Sequence, residues 1–374
     1  MFQHDKLSSE LSFFQKVKNL DFILIFCIIL LSIISLLVMY STDGGEFSYH
    51  TRSHFIKLLT FFSLMIVISF FNIKLWHINS YFFYFIILML LFWVSAYGIK
   101  VSGSQRWINL HFIVLQPSEL MKISIILCLA KYYHRLKIEN VNSFTNIFIS
   151  LTLIILPIIL VLSQPDLGTS ILIAFSGLIV LWLGGVKVKY FFLSFISFLI
   201  SLPFIISFLK PYQKLRILTF LDPDRDPLGA GYQIIQSKIA IGSGGISGKG
   251  FLKGTQSYLE FLPEKHTDFI FTLFSEEFGF LGSLGLLLIY SIIIFRIIRI
   301  GAISRSNFAK FFCFGFAFAI FVYIVVNLSM VLGLLPIVGS PLPIMSFGGS
   351  SLLATMIGFG IVQSAKINHK QIIA

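Results

Sequence analysis

The sequence predicts an all-α integral membrane protein with about ten transmembrane helices and one long extracytoplasmic loop containing short helical segments. Three observations predict it. Of 374 residues, 57% are hydrophobic and 12% charged, and the mean hydropathy is +0.92, more apolar surface than a soluble domain keeps out of water. The apolar residues come in runs of roughly 20, the length that crosses a bilayer. The cations gather between alternate runs, and one stretch, 210–268, is far longer than the other connections.

The first run, Phe22 to Tyr40, follows Lys16 and Lys18 and leads into Ser41-Thr42-Asp43 with no small-x-small cleavage site. It reads as a retained anchor rather than a signal peptide. Further spans are predicted at 54–72, 79–98, 118–133, 145–163, 168–185, 190–209, 269–295, 308–335 and 344–364. The span at 118–133 is short and is interrupted by Glu119 and Lys122. Cys27, Cys128 and Cys313 lie inside apolar stretches without paired spacing or a nearby histidine, so they read as small core residues rather than as disulfides or a zinc site.

Orientation follows from the Lys/Arg bias of the short segments. With the N-terminus inside, the inner segments hold fifteen of the 28 cations, among them Lys16, Lys18, Lys131, Arg135, Arg296 and Arg299. The short outer loops hold Arg52, Lys57, Lys100 and Arg106. An even number of spans then puts both termini in the cytoplasm. The net charge of +12 is accordingly topological, and with no Lys/Arg block or RNA-binding motif, nucleic acid is not an expected partner.

The 210–268 loop carries eight cations of its own, which the bias tolerates in long loops. Tyr232, Ile235 and Ile239 recur at helical spacing, with Gln233, Gln236 and Ser237 on other faces, which predicts a short helix at the membrane surface. Eight glycines between Gly229 and Gly254 permit turns and close backbone approach. No separate soluble domain and no internal repeat is visible, so 1–374 reads as a single polytopic membrane domain.

An ionisable group in or beside an apolar segment is costly, so it is paired, faces water, or is functional. Glu119 and Lys122 share a helical face, as an internal ion pair or as a substrate contact. Asp166, in a tight outer turn, is an N-cap or a functional carboxylate. Arg106 beside Trp107 is an interfacial anchor or a phosphate ligand. Glu276 and Glu277 point about 100° apart on a helix, which argues against one acid/base dyad and assigns at least one a structural role. At the end of the loop, Glu264, Lys265, His266, Thr267 and Asp268 converge where the chain re-enters the membrane. Asp268 begins a span, so it is a cap or a catalyst; a helix start favours the ionised carboxylate that a general base also needs. The glycine-rich Gly242–Gly250 segment is no phosphate loop, because Lys249 is followed by Gly250 and the G-x-G-x-x-G spacing is absent.

Six motifs occur in a telling order: Gly103-Ser-Gln-Arg106-Trp-Ile-Asn-Leu110, Gln116-Pro-Ser-Glu119-Leu-Met-Lys122, Gln164-Pro-Asp166-Leu-Gly-Thr169, Gly248-Lys-Gly-Phe-Leu-Lys-Gly254-Thr-Gln256, Pro263-Glu-Lys-His-Thr-Asp268-Phe-Ile-Phe271 and Ser346-Phe-Gly-Gly-Ser-Ser351. In these the chain resembles the SEDS family (shape, elongation, division and sporulation), its elongation branch more than its division branch. Gln105 before Arg106-Trp107, the Gly-Thr-Gln before Glu260-Phe261-Leu262-Pro263 and the short tails favour elongation. Phe347 stands where Tyr is common, and Phe251 where Trp is.

The resemblance implies a peptidoglycan glycosyltransferase that joins lipid II units on the outer face of the bacterial cytoplasmic membrane. Its implied partners are a class B penicillin-binding protein that supplies transpeptidation and other membrane proteins of the elongation complex. It implies Asp268 as the base that takes the acceptor hydroxyl's proton while attack inverts an α-linked donor to a β-linked glycan. One carboxylate suffices, because the leaving group is a lipid pyrophosphate that needs no strong general acid. Arg106 and Lys122 would bind that pyrophosphate. Glu119, Asp166 and Glu264 would orient them or hold a divalent cation such as Mg2+, and His266 and Thr267 would be further substrate contacts. Two readings from other classes stand beside this one. A lipid-linked precursor flippase fits the Glu119/Lys122 pair and needs a cytoplasmic entrance; a non-enzymatic scaffold for the penicillin-binding protein makes no demand on Asp268.

Overall fold

The computed structural model describes residues 12–101, 104–109, 114–208, 211–222, 226, 229–255, 262 and 264–373. Of the motif residues above, Gly103, Leu110, Gln256, Glu260, Phe261 and Pro263 lie outside them. A helix stands at each of the ten predicted spans. In chain order these are α2 (Phe22–Thr42), α3 (Tyr49–Ser69), α4 (Ile73–Tyr97), α5 (Pro117–Arg135), α6 (Phe144–Ser163), α7 (Leu167–Leu183), α8 (Val188–Phe208), α11 (Ile270–Ile303), α12 (Asn307–Val331) and α13 (Gly349–Ile367). A short α1 (Phe13–Lys18) precedes them, and α9 (Pro211–Leu221) and α10 (Ala230–Ser243) occupy the long loop.

Seven of the ten, α2, α3, α4, α6, α11, α12 and α13, are long and apolar enough on their own to cross a membrane. The weak apolar signal of α5 has a packing cause. It touches α4, α6, α7, α12 and α13 and is buried almost continuously from Pro117 to Lys131. A helix shielded from lipid by its neighbours keeps charges such as Glu119 and Lys122 by pairing them internally. A similar inside face explains why α3 begins five residues before its predicted span: Thr51 and His54 are buried with Leu58 and Phe61 along one stripe, and α3 packs extensively on α13.

Three short strands were not anticipated. β1 (Ile99–Val101), β2 (Ser104–Asn109) and β3 (Val114–Leu115) form an antiparallel sheet in the order β1-β2-β3 between α4 and α5. Successive strand side chains face opposite ways, so Arg106 and Trp107 do not act as one anchor.

The predicted helix of the long loop exists as α10, with a different inner face. The buried stripe is Gly231, Ile234, Ser237, Ala240 and Gly244, and Ile239 is exposed. α10 lies against α11 and α12, where the small Ser237 side chain permits close approach and meets the Thr272 hydroxyl at 2.8 Å and the Val331 carbonyl at 2.7 Å. Packing against helices rather than against lipid therefore selects the polar, small-residue stripe over the aliphatic one.

Candidate active site

The polar ends of the bundle converge on two groups of side chains. The first centres on the turn 264–269, which leads into α11. Its backbone closes through Thr267 N–H and Phe269 N–H donating to the Glu264 carbonyl at 3.2 and 3.3 Å, and the Thr267 hydroxyl donates to the Glu264 carboxylate at 2.8 Å. The N-cap of α11 is Phe269, with no side-chain cap. Asp268 immediately precedes the N-cap.

The turn is held from behind by the connection between α12 and α13. Asn327 Nδ2 donates to the Asp268 carbonyl at 2.9 Å and to the Ser340 carbonyl at 2.7 Å. The Ser346 hydroxyl donates to the Thr267 carbonyl at 2.6 Å, and Phe347 N–H to the His266 carbonyl at 2.8 Å. Gly339 adopts φ +69°, and a Cβ there would stand 3.4 Å from Asp268 Oδ2. Positive φ favours glycine, so this position turns the chain beside the carboxylate. The Ser346-Phe347-Gly348-Gly349-Ser350-Ser351 motif is thereby explained: it buttresses the Asp268 turn.

The second group surrounds Asp166. As the N-cap of α7 it accepts from Thr169 N–H at 3.2 Å, and its other oxygen takes Gln116 Nε2 at 3.1 Å and stands 3.5 Å from Arg106 Nη1. Cap and charge partner coexist in one side chain. Arg106 also donates to the Gln164 carbonyl at 3.1 Å and to the Pro165 carbonyl, and 25% of its side chain stays exposed. One turn into α5, Lys122 Nζ donates to Glu119 at 2.7 Å, Tyr323 Oη donates to the other Glu119 oxygen at 3.0 Å, and the ammonium lies 4.2 Å from the Tyr323 ring centre. Both members of the pair are buried. The carboxylates of Glu119 and Asp166 are thus engaged by cations and hydrogen-bond donors, which is not the open oxygen cage a Mg2+ ion takes.

The two groups flank one segment. The Val338 carbonyl covers Gly168 of α7, Gly339 faces Asp268, and Ser350 Oγ accepts from Gln116 N–H at 2.8 Å. Glu276 and Glu277 are engaged in tertiary contacts. Glu276 accepts from Lys249 Nζ at 2.6 Å and from Thr255 N–H and Oγ1 at 2.9 and 2.8 Å, and Glu277 accepts from the Ser41 hydroxyl. They bind the glycine-rich segment to α11 and form no dyad.

Sequence reasoning missed Asp43, His50, Lys57 and Asn327. Asp43, at the end of α2, and His50, at the start of α3, contact His266. Lys57 lies over the Phe347 ring at 4.1 Å, which places a cation behind the Asp268 turn. The available signal was the polar stripe Thr51/His54/Lys57 inside an otherwise apolar helix.

Residues 19–371 match the family of FtsW, RodA and SpoVE, described as cell cycle proteins. The chain belongs to this family. It is 42% identical over 362 residues to the peptidoglycan glycosyltransferase MrdB of Escherichia coli K12, covering 96% of this chain and 97% of that protein. Its fold superposes with TM-score 0.81 at 30% identity on a chain of a structure describing how a peptidoglycan synthase complex coordinates polymerization and crosslinking, over 94% of this chain and 99% of that one. The rod shape determining protein RodA of Thermus thermophilus shares the fold, with TM-score 0.71 at 23% identity over 94% of this chain and 98% of that one. Like them, this family member is an integral membrane protein. Of the two departures from the family pattern, Phe347 sits at the Asp268 turn with its ring on Lys57, His50 and His54, and Phe251 packs on Tyr40.

Proposed function

We propose that this chain is a peptidoglycan glycosyltransferase that polymerises lipid II on the outer face of the bacterial cytoplasmic membrane, with Asp268 as the general base. The observation that carries the assignment of Asp268 is its place: a carboxylate at the start of α11, on a turn fixed by Asn327, Ser346 and Phe347. A base must hold its oxygen steady within hydrogen-bond reach of the acceptor hydroxyl, and that buttressing supplies the steadiness. In the step, the hydroxyl proton passes to an Asp268 oxygen, the hydroxyl oxygen bonds to the anomeric carbon of the donor, and the bond to the lipid pyrophosphate breaks with its electron pair. Negative charge grows on the departing pyrophosphate. Arg106, a quarter exposed, is the cation a ligand reaches first; Lys122, buried on Glu119, acts on it through the local potential. Glu264 and Thr267 set the turn, and Asp166 aims Arg106.

The partner is a transpeptidase of the class B penicillin-binding type, with which the solved relative's pairing of polymerization and crosslinking agrees. Both termini are cytoplasmic, as the Lys/Arg bias of the short segments supports.

The test is glycan-chain formation from purified lipid II by the wild type and by Asp268→Asn. Loss of a general base costs about 10²–10⁴-fold in rate. Because Asn keeps the size of Asp and can still accept a hydrogen bond at a helix start, the variant is expected to insert and melt like the wild type while making almost no polymer. A near-wild-type rate would remove Asp268 from the mechanism.

A further inference from the structure

Two side chains that flank the turn between α2 and α3, Asp43 and His50, meet a third from far along the sequence, His266. One ligand atom of each lies within 4.8 Å of the others. His266 Nε2 is 3.6 Å from Asp43 Oδ1, and His50 Nδ1 is 3.8 Å from the same oxygen. These separations are wide for hydrogen bonds. They are close to the edge of a tetrahedral ligand shell: ligands about 2.0–2.2 Å from a zinc ion stand about 3.3–3.6 Å apart.

The surroundings orient two of the three ligands. Asp43 Oδ2 accepts from the Ser48 hydroxyl, from Thr51 N–H at 3.1 Å and from Thr51 Oγ1 at 2.6 Å, which turns Oδ1 toward the imidazoles. On the other side, the Thr42 hydroxyl gives its one proton to the Met39 carbonyl at 2.7 Å, so its 3.0 Å contact with His266 Nδ1 is made by Nδ1–H donating. With Nδ1 protonated, a neutral His266 presents its Nε2 lone pair to the Asp43 carboxylate. Two acceptors facing each other repel unless something positive or protic stands between them: a second proton on the ring, a bridging water or a metal ion. A histidine donating its far nitrogen to a fixed oxygen is the usual arrangement around a metal-bound imidazole.

We propose that Asp43, His50 and His266 bind a divalent transition-metal ion, with zinc the best fit. Two imidazoles and one carboxylate suit zinc, and they disfavour magnesium, which takes oxygen ligands. His50 stacks on His266 with ring centres 4.3 Å apart and planes at 11°, so closing the triad requires His50 to turn out of that stack. Its side chain is 43% exposed at the start of α3, which leaves room for the turn. Three protein ligands leave a fourth position for water or a substrate oxygen. The ion would tie the α2–α3 turn to the segment two residues before Asp268, a positioning role.

The experiment uses the full chain without a polyhistidine tag, purified in detergent and stripped with a chelator. Zn2+ binding is measured by calorimetry, and Co2+ is titrated while its visible absorption is followed. One equivalent per chain is expected, with the intense visible bands of a tetrahedral Co2+ site. His50→Ala and Asp43→Asn should each weaken binding by no less than the roughly 10–100-fold that outer-shell changes cost; His134→Ala, a histidine far away on α5, should not. His50 is exposed, so its variant keeps the test valid if Asp43→Asn disturbs the turn. No stoichiometric binding, or binding indifferent to His50→Ala, would overturn the proposal and leave a protonated imidazolium–carboxylate pair in its place.

Discussion

The buried Glu119–Lys122 pair shows how a single residue can carry both a structural and a chemical assignment, and how the two are separated. Removing one member of a buried pair leaves an uncompensated charge and costs about 3–5 kcal/mol. Lys122→Ala therefore lowers stability through Glu119, whatever Lys122 does to substrate. The Glu119→Gln/Lys122→Met double variant leaves no lone charge and should recover most of the melting temperature. If Lys122 serves the pyrophosphate, polymerisation stays low in that folded double variant; activity returning in step with stability would make the pair structural only. Of the site residues, Arg106, Lys122, Asp166 and Asp268 were legible in sequence because each is an ionisable group beside apolar residues. Asp43 and His50 were not: what gives them meaning is His266, and Thr42 and His266 are 224 residues apart. No local spacing reports such a contact.

At the scale of elements, α11 gives the sharpest lesson. Its apolar run was legible, but its break was not. Gly279 takes φ +66°, ψ −161° inside the helix, and the segment after α10 pairs with the backbone there. Lys249 N–H and Gly250 N–H donate to the Glu276 and Glu277 carbonyls, both at 3.0 Å, while Phe280 N–H and Leu281 N–H donate to the Gly245 and Ile246 carbonyls at 2.9 and 3.1 Å. The glycines of 242–250 thus serve close backbone approach, as their density suggested, at a place that only the tertiary fold defines. A Cβ on Gly279 would collide with the Gly248 nitrogen and the Ile246 carbonyl, and the conformation itself costs a non-glycine residue about 1–3 kcal/mol. Gly279→Ala should therefore lower stability by at least that much. Gly285→Ala, on the same helix with nothing within 4 Å of the new methyl, should be neutral or stabilise by up to about 1 kcal/mol. Thermal unfolding of the two variants in one detergent checks this, and equal melting temperatures would mean the break at Gly279 is not structurally required. α10 and the β1–β3 sheet were misread or missed for a related reason: their registers answer to neighbouring helices and strands, and lipid plays no part in them.

For the whole molecule, the fold class and the ten helix positions were legible because the bilayer imposes length and apolarity on each span independently of the others. Sidedness rests on a different quantity, the cations of the short connections, and makes a separable prediction. The Asp43, Arg106, Asp166 and Asp268 groups all stand at helix ends on one side of the bundle, since an even number of crossings separates the turns that carry them. Lys187, in the connection from α7 to α8, lies on the other. If the first side is outside, a membrane-impermeant maleimide applied to intact cells should label Lys253→Cys, an exposed position in the long loop, and should label Lys187→Cys only after permeabilisation. The background is low without further engineering, because Cys27, Cys128 and Cys313 are all buried. The reverse pattern would place the Asp268 turn in the cytoplasm, where no polymerase of exported lipid II could use it, and would leave the flippase reading as the one to pursue.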